Sequence, residues 1–316
     1  MTGPLYLDCD TGIDDALALA LLLRTGAELA GIGTVSGNVS AATAARNTLH
    51  LLELAGRPEI PVAVGRNDPL AGAFGGGAAH VHGEEGLGPL RVPPSQTAPI
   101  ASTAAELLIE LSHARAGRLA VLAIGPLTNL AEALLTDPTL PQRIERVTVM
   151  GGAVDVPGNV TTVAEANIWN DPEAASIVFG APWEVVLVPL DVTMNHVITE
   201  RDVAALAADG NALLGAVARA FEVYLDFYEG VFGTRSAALH DPLAAAIAVG
   251  ALPITRAVKG SITVDTSRGP DRGRTSLVRR GEAARGERRP STSVVMETAP
   301  CLPAIMNALG ASAGRR

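Results

Sequence analysis

Four aspartates, Asp8, Asp10, Asp14 and Asp15, fall within eight consecutive positions, between an apolar run at 5–9 and an Ala/Leu-rich run. Carboxylates this close repel one another, and each makes the next harder to ionise. A divalent cation offsets that repulsion. Calcium takes about 6–8 oxygen ligands from carboxylates, carbonyls and water, so a calcium site here needs further oxygens from elsewhere in the chain. An EF-hand loop fails: counting from Asp8 puts Ile13 at the sixth position and Leu19 at the twelfth, where that loop needs Gly and Glu.

The order D-C-D-T-G at 8–12 is superficially close to the opening motif of haloacid-dehalogenase-type phosphatases. Those enzymes need a lysine and a later acidic pair for magnesium. The only lysine is Lys259, and no G-D-x-x-x-D motif follows it, which leaves this the weaker reading. The further oxygens that calcium requires are present. His240-Asp241-Pro242 sets an acid beside a histidine at the head of an Ala-rich helix, whose N-terminus favours a carboxylate. Asn159, Glu165 and Asn167 put two amides and a carboxylate at close spacing, a set suited to a polyhydroxylated ligand such as ribose. Cys9 reads as a buried strand residue rather than a nucleophile, and Asp8 as a brace for its loop.

Alternating elements must position these groups. Strands are expected at 5–9, 29–35, 60–64, 119–124, 147–150 and 185–189, and helices at 15–23, 41–55, 102–114, 127–135 and 172–179. Repeated strand-then-helix order implies an α/β fold, a mostly parallel, Rossmann-like open sheet flanked by helices. With no Pro-rich or Ser-rich linker, residues 1–316 read as a single domain. In such sheets ligands bind beyond the carboxyl ends of the strands. Polar loops follow several of them: Asp8–Asp15, Ser36-Gly37-Asn38, Gly125–Asn129 and Gly151-Gly152.

Composition narrows the function. The net charge of −9 gives no electrostatic attraction for nucleic acid, so no nucleic-acid partner is expected. No apolar run is long enough to span a bilayer, so no membrane partner is expected either. The N-terminus lacks a basic start, so no signal peptide is read and a cytoplasmic location is expected. Two cysteines make no disulfide framework. Residues 265–292 carry eight arginines, four acids and four glycines. They are expected to form a solvated hairpin or loop, since aromatic stacking residues are absent.

Seven blocks in order then resemble one family, the inosine–uridine-preferring nucleoside hydrolases. D-C-D-T-G-I-D-D at 8–15 is similar to that family's opening signature. G-N at 37–38, H-x-H-G at 80–83, G-P-L-T-N at 125–129, M-G-G at 150–152, A-E-x-N at 164–167 and H-D-P at 240–242 resemble its later blocks. The resemblance covers residues 4 to about 310.

The resemblance implies one Ca²⁺ per chain, held by Asp10, Asp15, Asp241 and the backbone carbonyl of Ile124. It implies hydrolysis of the N-glycosidic bond of ribonucleosides to ribose and free base. Asp14, Asn38, Asn159, Glu165 and Asn167 match ribose contacts, Met150 packs near the ribose, and His82 lines the base pocket. His240 resembles the group that helps the base leave, and Asp10 is placed to take the proton of the attacking water. A homo-oligomer, dimer or tetramer, is implied as well. Base preference stays open, because the stretch before H-D-P departs from the family's pattern; Tyr228, Phe232 and Arg235 all stand within reach of a base there. Two rivals stay open too: hydrolysis of another ribosyl bond, such as that of a C-nucleoside, and a non-catalytic nucleoside or ribose binder. Gly72–Gly77 reads as a mobile flap or a plain surface loop.

Overall fold

The computed structural model describes residues 3–279 and 290–311. Its strands are β1 (Leu5–Cys9), β2 (Leu29–Thr34), β3 (Val62–Val64), β4 (Leu119–Ala123), β5 (Ile144–Met150), β6 (Val185–Val188), β7 (Val197–Thr199), β8 (Ser236–Ala238), β9 (Ile254–Val264), β10 (Thr275–Arg279) and β11 (Thr292–Thr298). Nine of them form one sheet in the order β10-β9-β11-β6-β5-β4-β1-β2-β3, and β7 pairs with β8 apart from it. From β3 to β11 the pairings are parallel; β9 and β10 add an antiparallel hairpin at one edge.

The parallel strands are short apolar runs buried on both faces, as crossover helices require. Every residue of β1, β4 and β6 is buried. Two hydrophobic clusters cover the two faces. One gathers the helices Ile13–Arg24, Ala212–Phe232 and His240–Ala248; the other packs Leu107, Leu130 and Phe179 against Tyr6 and Val147.

Two helices matter most. Ile13–Arg24 is Ala- and Leu-rich, buried from Ile13 to Leu22, and carries Asp14 and Asp15 in its first turn. His240–Ala248 is buried at every position and begins with His240 and Asp241. Its Pro242 sits in the first turn, where no intrahelical N–H is needed. The two helices pack against each other. Each fully buried leucine contributes roughly 1.5–3 kcal/mol.

The expected strands and helices are all present, with ends shifted by a few residues. The segment 265–292 supplies the turn of the β9–β10 hairpin and the start of β11; residues 280–289 of it lie outside the described residues. In the turn, Arg272 donates to both carboxylate oxygens of Glu173, at 2.8 and 2.7 Å. Among the described residues, no helix is long and apolar enough to cross a membrane.

Candidate active site at the switch point of the sheet

From β1 the chain builds outward through β2 to β3, then returns to the other side of β1 for β4, β5 and β6. At such a reversal the loops beyond the strand ends splay apart and leave a crevice. Asp10 follows β1, Ile124 follows β4, and Met150 ends β5. The acids Asp14, Asp15 and Asp241 reach the same place from the positive ends of their two helices.

Asp15 is the best bonded. Its Oδ2 accepts from the Gly12 N–H at 2.8 Å and from Asn38 Nδ2 at 3.2 Å, and its Oδ1 from the Asp10 N–H at 3.3 Å. Asp10 Oδ2 accepts from the Asn38 N–H at 2.7 Å, while Asp10 Oδ1 is buried with no hydrogen-bond partner. Asp14 Oδ2 accepts from the Tyr224 hydroxyl at 2.9 Å, and Asp14 Oδ1 is likewise without a partner. One oxygen each from Asp14, Asp15 and Asp241 lies within 4.8 Å of the others. That set differs from the expected one, since it contains Asp14 and not Asp10.

Two glycines make room for Asp10. A Cβ at Gly37 would overlap Asp10 Oδ2, and one at Gly125 would stand 3.0 Å from Asp10 Oδ1. Burial, then the charge of Asp15, pushes the Asp10 carboxyl well above its usual range. Burial and the surrounding acids do the same to Asp241. Asp15 is pushed up to about 7, by burial first and then by Asp14. The acids are thus costly to ionise as they stand, and two of their buried oxygens lack a donor. A hard dication fits this donor set.

A cavity of about 340 Å³ opens above the acids. All the expected site residues line it except Asp10 and Asp15, which lie beneath. Glu165 caps the short helix Ala166–Asn170: its carboxylate accepts from the N–H groups of Gly152 at 2.8 Å, Asn167 at 2.9 Å and Ile168 at 3.2 Å. Asn167 Nδ2 donates to the carbonyls of Ile124 at 3.0 Å and Met150 at 3.2 Å, joining β4 to β5 across the crevice floor. Asn159 is exposed at the rim, its Oδ1 accepting from the Ala166 N–H at 3.0 Å. Asp191 steadies the intervening loop by accepting from the N–H groups of Val154 and Asp155.

Two histidines face the cavity in neutral form. The Ile13 N–H donates to His82 Nδ1 at 3.1 Å, so the proton sits on Nε2. Burial, with His80 nearby, pushes His82 down to about 3. Its Nδ1 lies 4.0 Å from Asp14 Oδ1, but a nitrogen that already accepts a hydrogen bond makes no ion pair there. His240 is lowered by burial. Its Nδ1 lies 2.8 Å from Thr193 Oγ1 and its Nε2 2.6 Å from the Tyr228 hydroxyl.

Tyr224 and Thr193 were not among the expected site residues; Tyr228 was one of the three candidates for the base, and it lines the cavity. A signal for the tyrosines is in the sequence: of three tyrosines and five phenylalanines in the chain, two and three fall within 221–232. The helix Ala212–Phe232 turns Tyr224, Phe227, Tyr228 and Val231 to the cavity. Phe232 instead stacks on Tyr228, with ring centroids 5.5 Å apart. Arg235 pairs with Glu200, Glu222 and Asp226 at the surface. Asp8 braces the loop, accepting from Tyr6 at 2.9 Å and from Asn129; Cys9 is buried.

A sheet of this topology, with acids gathered at its reversal beneath a cavity, places the protein among the α/β enzymes. Within them the chain belongs to the inosine-uridine preferring nucleoside hydrolase family, whose model matches residues 5–300. It is 38% identical over 244 residues to a probable uridine nucleosidase 2 of Arabidopsis thaliana, covering 75% of this chain and 74% of that one. A plant nucleoside hydrolase, the PpNRh1 enzyme, superposes with a TM-score of 0.92 at 30% identity, over 98% of this chain and 99% of that one. The purine-preferring ribonucleoside hydrolase from Gardnerella vaginalis superposes at 0.88 and 30% identity, over 98% and 97%. The protein is therefore a glycosidase acting on the N-glycosidic bond of ribonucleosides.

Proposed function

We propose that this nucleoside hydrolase depends on calcium held by Asp10, Asp15, Asp241 and the Ile124 carbonyl, with Asp10 as the general base. The observation that carries the reading is Asp10 Oδ1, an ionisable oxygen buried among other acids with no donor. Calcium bound there neutralises the acids and makes water easier to deprotonate. The Ile124 carbonyl keeps a second lone pair beside its bond from Asn167.

The chain's own groups do the rest. Asp10 takes the proton of the water that attacks the anomeric carbon. Asp14, Asn38, Asn159, Glu165 and Asn167 hold the ribose, and the buried negative charge of Glu165 and Asp14 favours an oxocarbenium-like transition state. His240 supports the departing base through Tyr228, since both imidazole nitrogens are already bonded. His82 offers an Nε2–H donor, suited to the carbonyl oxygen beside the glycosidic nitrogen of a pyrimidine. Together with the uridine nucleosidase relative, that makes uridine the first substrate to test.

The reading also takes residues 1–316 as one domain acting in the cytoplasm as a homo-oligomer. Light scattering tests the assembly. The function is tested by elemental analysis of the purified protein and by a reducing-sugar assay with uridine, inosine, cytidine and adenosine. About one calcium per chain and release of ribose are expected. Zinc in place of calcium, or full activity after exhaustive chelation, overturns the metal assignment.

A further inference from the structure

We infer that Tyr224 is a positioning residue for Asp14, fixing which oxygen of that carboxylate stays open to the sugar. The inference rests on Asp14 meeting ribose, as proposed above. Asp14 lines the cavity, and its one side-chain donor among the described residues is the Tyr224 hydroxyl, at 2.9 Å to Oδ2. Its Oδ1 is buried and without a partner. The nearest alternative, His82 Nδ1, is 4.0 Å from Oδ1 and is itself an acceptor for the Ile13 N–H. The terminal torsion of an aspartate is broad and roughly two-fold. Backbone N–H groups of Asp14 and Asp15 also act on this carboxylate; without its one side-chain donor, Asp14 would hold its orientation less firmly beside the like charges of Asp15 and Asp241.

Tyr224 is built to supply that donor. Its ring is buried and held on three sides, at centroid distances of 5.5 Å from Phe221, 4.9 Å from Tyr228 and 5.4 Å from His82. Its hydroxyl donates to Asp14 and also meets the phenol of Tyr228. Four residues on, along the same face of the helix Ala212–Phe232, Tyr228 bonds His240. One helix thus delivers one phenol to the ribose side of the site and one to the base side.

The test is a double-mutant cycle of Tyr224→Phe and Asp14→Ala in the calcium-saturated protein. It is read by the inhibition constant of D-ribose, by kcat and KM for uridine and inosine, and by thermal midpoint. Tyr224→Phe keeps the ring and removes only the O–H. It is expected to fold normally and to weaken ribose inhibition and kcat/KM by roughly tenfold, the scale of a hydrogen bond to a charged group. In the Asp14→Ala background it is expected to change neither. An unaltered ribose constant in Tyr224→Phe, or a loss that persists at full size without Asp14, overturns the inference and leaves Tyr224 a packing residue. If Asp14→Ala itself leaves ribose inhibition unchanged, the ribose role of Asp14 falls, and the inference with it. Should Tyr224→Phe fail to fold, 3-fluorotyrosine at position 224 changes only the acidity of the hydroxyl; an unshifted ribose constant then overturns the inference equally.

Discussion

Asp10 is fixed by a backbone N–H on one oxygen and bare on the other, enclosed by two glycines that leave no room for a side chain. Asp10→Asn preserves the acceptor for the Asn38 N–H but cannot take a proton. The expected outcome is a kcat for uridine lower by about 10²-fold or more, with KM little changed; near wild-type kcat would mean that another group is the base. His240 is tested by contrast between leaving groups. A purine or pyrimidine leaves poorly and needs a donor, whereas p-nitrophenolate does not. His240→Ala is expected to lower kcat for inosine by about 10²-fold and to leave the p-nitrophenyl riboside nearly untouched. Tyr228→Phe should follow the same pattern, because its hydroxyl stands 2.6 Å from His240 Nε2. If His240→Ala slows both substrates equally and reduces calcium content, His240 is a prop for its neighbour Asp241 and not part of proton delivery.

At the level of elements, the loop after β2 approaches Asp10 so closely that residue 37 must be glycine. Gly37→Ala would force a Cβ into Asp10 Oδ2, and activity and calcium should be lost together, measured by assay and elemental analysis of the same sample. Asp171 ties three segments: its Oδ2 accepts from the Leu70 N–H and from Thr128 Oγ1, both at 2.8 Å, and its Oδ1 caps the helix Pro172–Gly180 through the Ala174 N–H at 3.0 Å. Asp171→Ala leaves these donors unmet in a buried place, which costs about 1–3 kcal/mol for each such group. A clearly lower thermal midpoint is expected, and an unchanged midpoint would mean that water replaces the carboxylate. The strands were legible because each is a short apolar run. The acids were legible because they interrupt such runs where loops begin. The partners of Tyr224 were not: Asp14 lies 210 residues away, and no local pattern encodes a contact between one helix face and the first turn of another helix so distant in sequence. Arg235 misleads for a related reason. Its position before H-D-P suggests the base pocket, but acids on two neighbouring helices draw it to the surface.

Across the whole molecule, the buried acids couple metal binding to stability. In metal-free protein, Asp15 stands at about 7 when folded against 3.8 for an unperturbed aspartate. At this site the folded state then holds a proton that the unfolded chain has lost between about pH 4 and about pH 7, so Asp15's contribution to stability is fully present below that window and is lost as pH rises through it. Calcium bound as proposed would favour the ionised carboxylates and reverse the trend, as a ligand bound only by the folded state must. Thermal midpoints in chelator and in calcium should therefore diverge as pH rises from 4 to 7; curves that stay parallel would show that the acids do not hold the ion. The two helices that carry these acids are buried almost throughout and lie against each other at the centre of one core cluster. In deuterated water, the amides of Ala18 to Leu22 and of Ala244 to Ala248 are expected to reach solvent only when the whole fold opens. Their exchange should then clock global unfolding. The first-turn amides of the same helices, at Asp15 and Asp241, sit at the proposed ion site, and their exchange should quicken first when calcium is withdrawn.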